Sequence, residues 1–249
     1  MNDFFRYDSY EKYLELMRSI APVIPLGEWD GENAILLRHD IDIDIEAAER
    51  LSKIEGRTGI RSTFFVCISN HHYNPATAGN RKILKKIASR GCEIGLHFDP
   101  MVYRDDPEGH LPSHARTEAD YLETICGSEI RSISLHNPSI HGKFPLFEGY
   151  QNAYDPVLFR DEGYLSDSSM NFRGKDPYSF IERAREQPVQ VVLHPIHFTK
   201  NGDGYVEIFR RYHVSMIEAT DSAMRNNKGY ASQFGSTTLL RNICKGETK

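Results

Sequence analysis

The sequence predicts an α/β protein in which strands and helices form a barrel. Short apolar runs rich in β-branched and aromatic residues alternate with segments whose apolar residues recur at helical spacing. Several of these runs end in an acid or a histidine, and in such a barrel the carboxyl ends of the strands lie around one face. The length, 249 residues, is close to that of one such barrel. We therefore expect a single domain over residues 1–249.

The first strand and the helix after it illustrate the pattern. Residues 34–37 form a continuous apolar run, typical of a strand buried on both faces, and the run ends in charge at Arg38, His39 and Asp40. A helix is predicted over 44–56, because apolar residues follow at three-residue steps, the first turn is acidic and a glycine stands at the end. An earlier helix, predicted at about 9–19, would cover one end of the barrel.

The alternation continues along the chain. Further strands are predicted at 61–66, 92–97, 130–135, 164–166 and 189–193, and further helices at 80–90, 113–126, 156–162, 177–186 and 205–226. A long loop follows the third strand and extends to about residue 113, and loops of this length in compact domains are often functional. Residues 137–155 are rich in Gly, Pro and aromatics and have too little periodicity for an assignment.

Composition narrows the class of protein. Hydrophobic residues make up 39 %, charged residues 26 %, and the formal net charge is -5, so there is no basic surplus for binding nucleic acid. No signal peptide or membrane-spanning window is found, and a cytoplasmic location is expected. The cysteines are scattered without a CxxC pair, which predicts reduced, buried thiols. The oligomeric state is left open.

A set of motifs occurs in a fixed order: Leu-Arg-His-Asp-Ile-Asp at 37–42, Ser-Thr-Phe-Phe at 62–65, Glu-Ile-Gly-Leu-His at 93–97 and Val-Leu-His-Pro at 192–195. In this order and spacing they resemble the polysaccharide deacetylase family, the NodB-homology carbohydrate esterases. The resemblance covers about residues 35–198. It implies a distorted, incomplete (β/α) barrel, a divalent metal, commonly zinc, and hydrolysis of an N-acyl group from an amino sugar.

Two further motifs, Ser-Leu-His-Asn-Pro at 134–138 and Leu-Ser-Asp-Ser-Ser at 165–169, make the resemblance more specific. Together with the others they are similar to a divergent branch met among enzymes of surface-polysaccharide and O-antigen assembly. The substrate expected from this resemblance is an acetylated or formylated amino sugar. Because no export signal is found, we expect that sugar to be linked to a lipid or a nucleotide.

Amide hydrolysis sets the chemistry that the site must supply. It needs an activated water, a positive charge for the oxyanion and a proton for the departing amine. One zinc ion bound by neutral imidazoles and a carboxylate supplies the first two, so we expect Asp42 and His97 as ligands and Asp40 as the base. His194 is expected to protonate the amine, with Asp167 accepting a hydrogen bond from its other ring nitrogen.

The third metal ligand departs from the pattern of the resembled family. That family has a second histidine four residues after the first, and here the position is Met101. His136 is the leading candidate because it ends a strand, although it stands where the family commonly has an arginine that supports the base. The other candidates for the third ligand are Asp99, His110, His114 and His197.

Several alternatives stay open at this stage. Asp40 and Asp42 are separated by Ile41, so their roles as base and ligand are exchangeable, and both are also suited to capping a strand end and a helix start. A catalytically inactive carbohydrate-binding or assembly protein on the same barrel is favoured by Met101. Another metal-dependent barrel hydrolase, such as a phosphoesterase, is the third reading. Aromatic side chains in or beside the loops suit either stacking on a sugar or packing of the loops; they are Phe98, Tyr103, Phe144, Phe147, Tyr150, Tyr154 and Phe172.

Overall fold

A computed structural model describes residues 3–246. By its backbone contacts the chain divides into one unit over Asp3–Gly202 and a second that begins at Asp203. The motif region at 35–198 lies entirely within the first unit. The prediction of a single domain over residues 1–249 stays a prediction. Within residues 3–246, no helix combines the length and the apolar character needed to cross a membrane.

The first unit is built on a parallel sheet. Its strands are β1 (Val23–Ile24), β2 (Ile35–Ile41), β3 (Thr63–Val66), β4 (Glu93–Phe98), β5 (Ser132–Leu135), β6 (Gln151–Asn152), β7 (Tyr164–Ser166) and β8 (Val189–Leu193). They follow the order β6-β5-β4-β3-β2-β8-β7, and β1 pairs with β2 outside this path. Every pairing between them is parallel. Their carboxyl ends therefore lie at one edge.

The sheet curls into a half-barrel whose end strands, β6 and β7, are paired on one side only among the described residues. The predicted fold class, an α/β fold with a distorted and incomplete barrel, is confirmed. Among the described residues of this unit, one α-helix precedes the strands and five lie between them in sequence, as parallel crossovers require. They are α1 (Tyr7–Ile20), α2 (Ile45–Thr58), α3 (Ala78–Ser89), α4 (Leu111–Cys126), α5 (Pro138–His141) and α6 (Pro177–Phe180).

Helix α1 agrees with the helix predicted at 9–19. Its Tyr10 is fully buried and donates a hydrogen bond to Glu55 of α2, with 2.6 Å between the oxygens, so α1 packs beside α2. That it also covers one end of the barrel stays a prediction.

The boundaries of α2 correct the sequence-based interpretation. Asp44 caps its start and accepts hydrogen bonds from Glu46 and Ala47. The end is at Gly59, whose φ of 71° is the left-handed conformation that glycine adopts readily, and not at the predicted Gly56. Since Asp44 caps this helix, the capping role considered for Asp42 is wrong.

Strand β2 also extends beyond its prediction. The apolar run was expected to end at Leu37, yet the strand continues to Ile41 and every one of its residues is buried. Charged residues are accommodated because Arg38 and Asp40 pair with each other inside the barrel. His39 points to the opposite face of the strand and lies 2.6 Å from Glu55.

Other differences concern irregular segments. The helix predicted at 156–162 is wrong: the backbone turns there, and Asp155 closes one turn by accepting from the amides of Leu158 and Phe159. The unassigned stretch 137–155 contains α5 and the short strand β6. The second unit contains α7 (Tyr205–Met224), close to the predicted 205–226, and two further helices that were not predicted, α8 (Lys228–Phe234) and α9 (Leu239–Gly246).

Candidate metal centre and acid–base site

The carboxyl ends of the strands bring the predicted site residues together at one edge of the sheet. Asp40 is the second-last residue of β2, Asp42 directly follows that strand, and His97 is the second-last residue of β4. His136 follows β5 and His194 follows β8. Asp167 follows β7, which is hydrogen-bonded to β8. Parallel pairing thus converts residues that are far apart in sequence into neighbours.

Three side chains form a triangle of potential ligand atoms. His97 Nε2 lies 3.1 Å from Asp42 Oδ1, and His136 Nδ1 lies 3.5 Å from the same oxygen. The two histidine nitrogens are 3.3 Å apart. Asp42 Oδ1 is buried and makes no hydrogen bond of acceptable geometry, although both rings face it.

This triangle has the dimensions of a tetrahedral metal site. An ion about 2.0–2.2 Å from each ligand requires ligand atoms separated by roughly 3.3–3.6 Å, from tetrahedral geometry. The three observed separations lie within 0.2 Å of that range. Two imidazoles and one carboxylate form a donor set that suits zinc and related divalent ions. The residues present therefore fit a divalent metal.

Electrostatics within the triangle favour a charged carboxylate. Burial acts to raise the pKa of Asp42, but contacts with His136 and His97 outweigh it and hold the pKa well below its usual range. Burial acts to lower the pKa of His136, and Asp42 reverses this effect and raises it. A bound metal ion would supply the positive charge beside Asp42, and the histidines would then be neutral ligands.

The other candidates for a third ligand lie in different contacts. Asp99 caps a short 3₁₀ turn and accepts from the amide of Met101 at 2.9 Å. His110 is exposed, and His114 lies in α4, 2.9 Å from Asp106 and stacked on Tyr103. His197 bonds to Asp167. Of the candidates for the third ligand, only His136 forms a ligand-sized group with Asp42 and His97 among the described residues.

A buried arginine orients Asp40. Arg38 Nη2 donates to Asp40 Oδ2 over 2.8 Å, and the two side chains are only 1 % and 5 % exposed. Arg38 also donates to Gln190 and Tyr154, which fixes the guanidinium in place. The other carboxylate oxygen, Asp40 Oδ1, is buried and has no hydrogen-bond partner within residues 3–246. One oxygen is therefore held, and the other is available to accept a proton.

Sequence reasoning missed Arg38 as a functional residue. The resemblance predicts that the base is supported from the position of His136, where the resembled family commonly has an arginine. Here the supporting arginine precedes the base by two residues on the same strand, so both side chains point to the same face. The available signal was the spacing: Arg38 follows a predicted buried run directly and precedes Asp40 by two residues, which places both side chains on one face if the strand continues.

On another side of the site, Asp167 joins two histidines. Its carboxylate oxygens lie 2.5 Å from His194 Nδ1 and 2.8 Å from His197 Nδ1, and it also accepts from the His194 amide. Burial acts to lower the pKa of His194, but the charge of Asp167 outweighs it and raises the pKa to about 9. His194 Nε2 is 3.5 Å from Asp42 Oδ2, so its other ring nitrogen faces the triangle.

Although Asp167, His194 and His197 are near enough to hold a cation, hydrogen bonds already join the atoms that would be its ligands. This group fits a proton donor, an imidazolium held by a buried carboxylate, better than a second metal centre. His197 was considered only as a metal ligand, and its contact with Asp167 was not predicted.

The site opens to a cleft with a volume of about 580 Å³. Its lining includes the proposed ligands and the acid–base residues Asp40, Asp42, His97, His136 and His194. Leu135, Pro138 and Ile140 contribute apolar lining, whereas Arg160 and Arg173 contribute positive charge. Of the aromatics considered for sugar stacking, Tyr154 and Phe172 line this cleft. Phe98 and Phe147 are instead buried in the core, where aromatic packing explains them.

No protein-family model matches the chain, and no curated protein matches it. Solved structures that resemble it include a chitin deacetylase from Colletotrichum lindemuthianum, with 14 % identity, a TM-score of 0.46, and coverage of 77 % of this chain and 86 % of that chain. Another is a Bacillus subtilis peptidoglycan deacetylase, with 17 % identity, a TM-score of 0.43, and coverage of 82 % and 98 %.

A third resembling structure is a CE4 family pseudoenzyme from Bacillus anthracis, with 13 % identity, a TM-score of 0.42, and coverage of 74 % of this chain and 62 % of that chain. The chain spans 64 % of the length of a mutant of a CE4 family pseudoenzyme with restored enzymatic activity. The structures that resemble the chain thus include proteins named as deacetylases and a protein named as a CE4 family pseudoenzyme. A likeness of this size assigns no activity to the chain.

Proposed function

We propose that this protein is a metal-dependent hydrolase that removes an N-acyl group from an amino sugar. The observation that carries the proposal is the juxtaposition of three groups at one cleft: a metal-sized triangle, a carboxylate with one unpartnered oxygen, and an imidazolium held by a buried aspartate. Metal-assisted hydrolysis of an amide uses these three elements together: a site for the ion, a base for the water proton and an acid for the amine.

In the proposed centre, Asp42, His97 and His136 hold one divalent ion, with zinc as the expected metal. When bound, such an ion supplies Lewis-acid activation of water and of the acyl oxygen. The short separations within the triangle support this ligand set. The contact between Asp40 and Arg38 supports assigning Asp40 as the base and Asp42 as the ligand, and not the reverse.

The proposed acid–base steps use residues of this chain. Asp40 Oδ1 accepts the proton of the attacking water while Arg38 holds the other oxygen in place. Protonated His194 donates from Nε2 to the amine as the C–N bond breaks, and Asp167 stabilises its charge. Water is thereby divided between a carboxylic acid and an amine, and both residues return to their starting states through proton exchange.

Acyl release tests the proposal directly. Acetate and formate would be measured after incubation of zinc-loaded protein with N-acetyl and N-formyl amino sugars, both free and linked to nucleotides or lipids. We expect release that a chelator abolishes and that Asp40→Asn lowers by about 10²–10⁴-fold, because the proton acceptor is lost. Asp105→Asn, which changes an acid with a side chain 94 % exposed, serves as the matched control.

Absence of release above the chelated control, across the whole panel, would refute a deacylase. Sugar binding without metal would then favour the second candidate, a non-catalytic carbohydrate-binding protein. Met101 is the observation behind that candidate, since it replaces an expected histidine; His136 at the triangle counts against it. A role in surface-polysaccharide or O-antigen assembly and a cytoplasmic location remain predictions from the sequence.

A further inference from the structure

The wall of the cleft formed by residues 160–175 carries positive charge. Arg160, Arg173 and Lys175 all line the cleft, together with a single acid from this segment, Asp161. Lys175 is neutralised locally, because its ammonium lies 2.9 Å from Asp161 and also donates to two backbone carbonyls. The charges that remain are those of the two arginines.

Neither arginine has a carboxylate partner among the described residues. Arg160 is exposed and donates to the neutral side chain of Gln187 over 3.2 Å. Arg173 is exposed, and within residues 3–246 its guanidinium makes no hydrogen bond or ion pair. The formal net charge of the whole chain is -5, so this cationic wall opposes the overall charge of the protein.

The backbone holds Arg173 in a conformation that is unfavourable for it. The backbone amide of Lys175 donates to the carbonyl of Phe172 and closes a turn. Both central residues of this turn have positive φ: 52° at Arg173 and 82° at Gly174. Such mirror-image turns favour Asn or Gly at the first central position. The amide of Arg173 donates to the side chain of Asn171 over 2.7 Å.

An equivalent turn immediately precedes this one. Asn171 donates to the carbonyl of Ser168, and the residues between them, Ser169 and Met170, have φ values of 61° and 53°. The first turn starts one residue after Asp167, so the chain leads through the two turns from the carboxylate that holds the proposed proton donor, His194, to Arg173. Backbone conformations of this kind are costly and concentrate at functional sites.

We propose that Arg173 and Arg160 form a subsite for a phosphate group carried by the amino sugar. The inference rests on the proposed function and names its substrate class: a glycosyl phosphate or diphosphate, and not a neutral polysaccharide. A guanidinium pairs with phosphate through two parallel hydrogen bonds, which suits an arginine without a carboxylate partner. The apolar lining at Pro138 and Ile140 is suited to the apolar face of the sugar ring.

The test compares two ligands that share the amino sugar and differ at the anomeric oxygen, which carries a phosphate in one and a neutral methyl group in the other. Dissociation constants for N-acetylglucosamine 1-phosphate and for methyl N-acetylglucosaminide would be measured by calorimetry on zinc-loaded Asp40→Asn protein, which lacks the proposed base and so does not consume the ligand. We expect the phosphate to bind on the order of 10- to 100-fold more tightly, as charge-assisted hydrogen bonds provide. Adding Arg173→Asn should remove most of this preference and leave the affinity for the neutral glycoside unchanged.

Asn is the chosen replacement because it adopts positive φ more easily than Arg, so the turn should be retained. An unchanged melting temperature would verify that the variant folds. Arg160→Gln should also weaken the preference, and Arg104→Gln, at an exposed arginine outside the cleft, should not. Equal affinities of the two ligands, no binding of the phosphate, or equal losses for both ligands on Arg173→Asn would each overturn the proposal.

Acyl release separates this proposal from the proposed function. Release from the neutral glycoside with no phosphate preference would refute the subsite alone, whereas a phosphate preference lost with Arg173 but without acyl release from any compound would refute the hydrolase alone. Comparison of nucleotide diphosphate and polyprenyl diphosphate derivatives of the same sugar would identify the source of the phosphate. Arg173→Asn should weaken the binding of both compounds, because both carry the phosphate that Arg173 is proposed to bind.

Discussion

Replacing Arg38 by Met is the most informative perturbation of the site. The side chain is 1 % exposed and ion-paired to Asp40 over 2.8 Å, so its removal leaves a buried carboxylate without a counter-charge. Breaking a buried ion pair in this way costs about 3–5 kcal/mol of unfolding free energy. For a protein of this size, each kcal/mol lowers the melting temperature by about 2–4 °C, so we expect a decrease of about 6–20 °C in metal-free protein.

A double-mutant cycle isolates the pair from general packing. Asp40→Asn removes the carboxylate charge, so Arg38→Met should cost much less in that background than in the wild type, with a coupling energy of about 1–3 kcal/mol. Unfolding would be followed by thermal and urea denaturation in the presence of a chelator. Strictly additive effects would refute the idea that the two side chains stabilise each other.

An exposed arginine provides the matched control. Arg61 pairs with Glu28 over the same 2.8 Å, but the two side chains are 45 % and 30 % exposed. Arg61→Met should therefore change the unfolding free energy by about 1 kcal/mol or less. Should Arg38→Met cost no more than Arg61→Met, burial of the pair would not be what makes it important. For activity, Arg38→Met should lower turnover even at a temperature where the variant remains folded.

Three further predictions concern the metal, pH and packing. His97→Ala and His136→Ala should each lose most of the bound zinc measured by elemental mass spectrometry, because each removes one corner of the triangle. Metal-free protein should lose stability as pH rises from about 6.5 through about 9, because His194 is stabilised in its protonated form by the fold. Gly95→Ala should destabilise by about 1–3 kcal/mol, because the new Cβ would lie 2.5 Å from the Phe65 ring.

Each of these has a control. His213→Ala, in the second unit, should retain zinc, and retention of zinc by the His136 variant would return the third ligand to an open question. The pH-dependent loss of stability should be smaller in His194→Gln; an equal loss in that variant would refute its origin at His194. Gly79→Ala, where nothing lies within 4 Å of the added Cβ, should not be destabilising, and a harmless Gly95→Ala would contradict the proposed crowding.

The strand ends could be read from the sequence because their information is local. Apolar runs followed by Asp40, His97, His136 and His194 identified both the strands and the polar residues at their carboxyl ends. Parallel order then makes these ends adjacent, whatever the exact bounds of the helices. For the same reason, the errors in the bounds of α2 and at residues 156–162 did not affect the prediction that the strand ends are adjacent.

The contacts between side chains could not be predicted from the sequence in the same way. Arg38 lies in a segment assigned as the polar end of a strand, and only its contacts with Asp40, Gln190 and Tyr154 identify it as a support for the base. Those partners are distributed over β2, β8 and the loop before β7. Local propensity carries no information on contacts that span more than a hundred residues of sequence.

The sequence by itself determined the class of fold, the order of its strands and helices, and the set of acids and histidines at the strand ends, because periodicity and residue type act over a few neighbouring residues. The tertiary structure alone decided which of these side chains meet. It brought His136, and not His110 or His114, to Asp42, and in the part of the chain that the structure describes it left Arg173 at the cleft without an ion-pair partner. Such outcomes depend on the curvature of the sheet and on loop geometry, which distant packing sets.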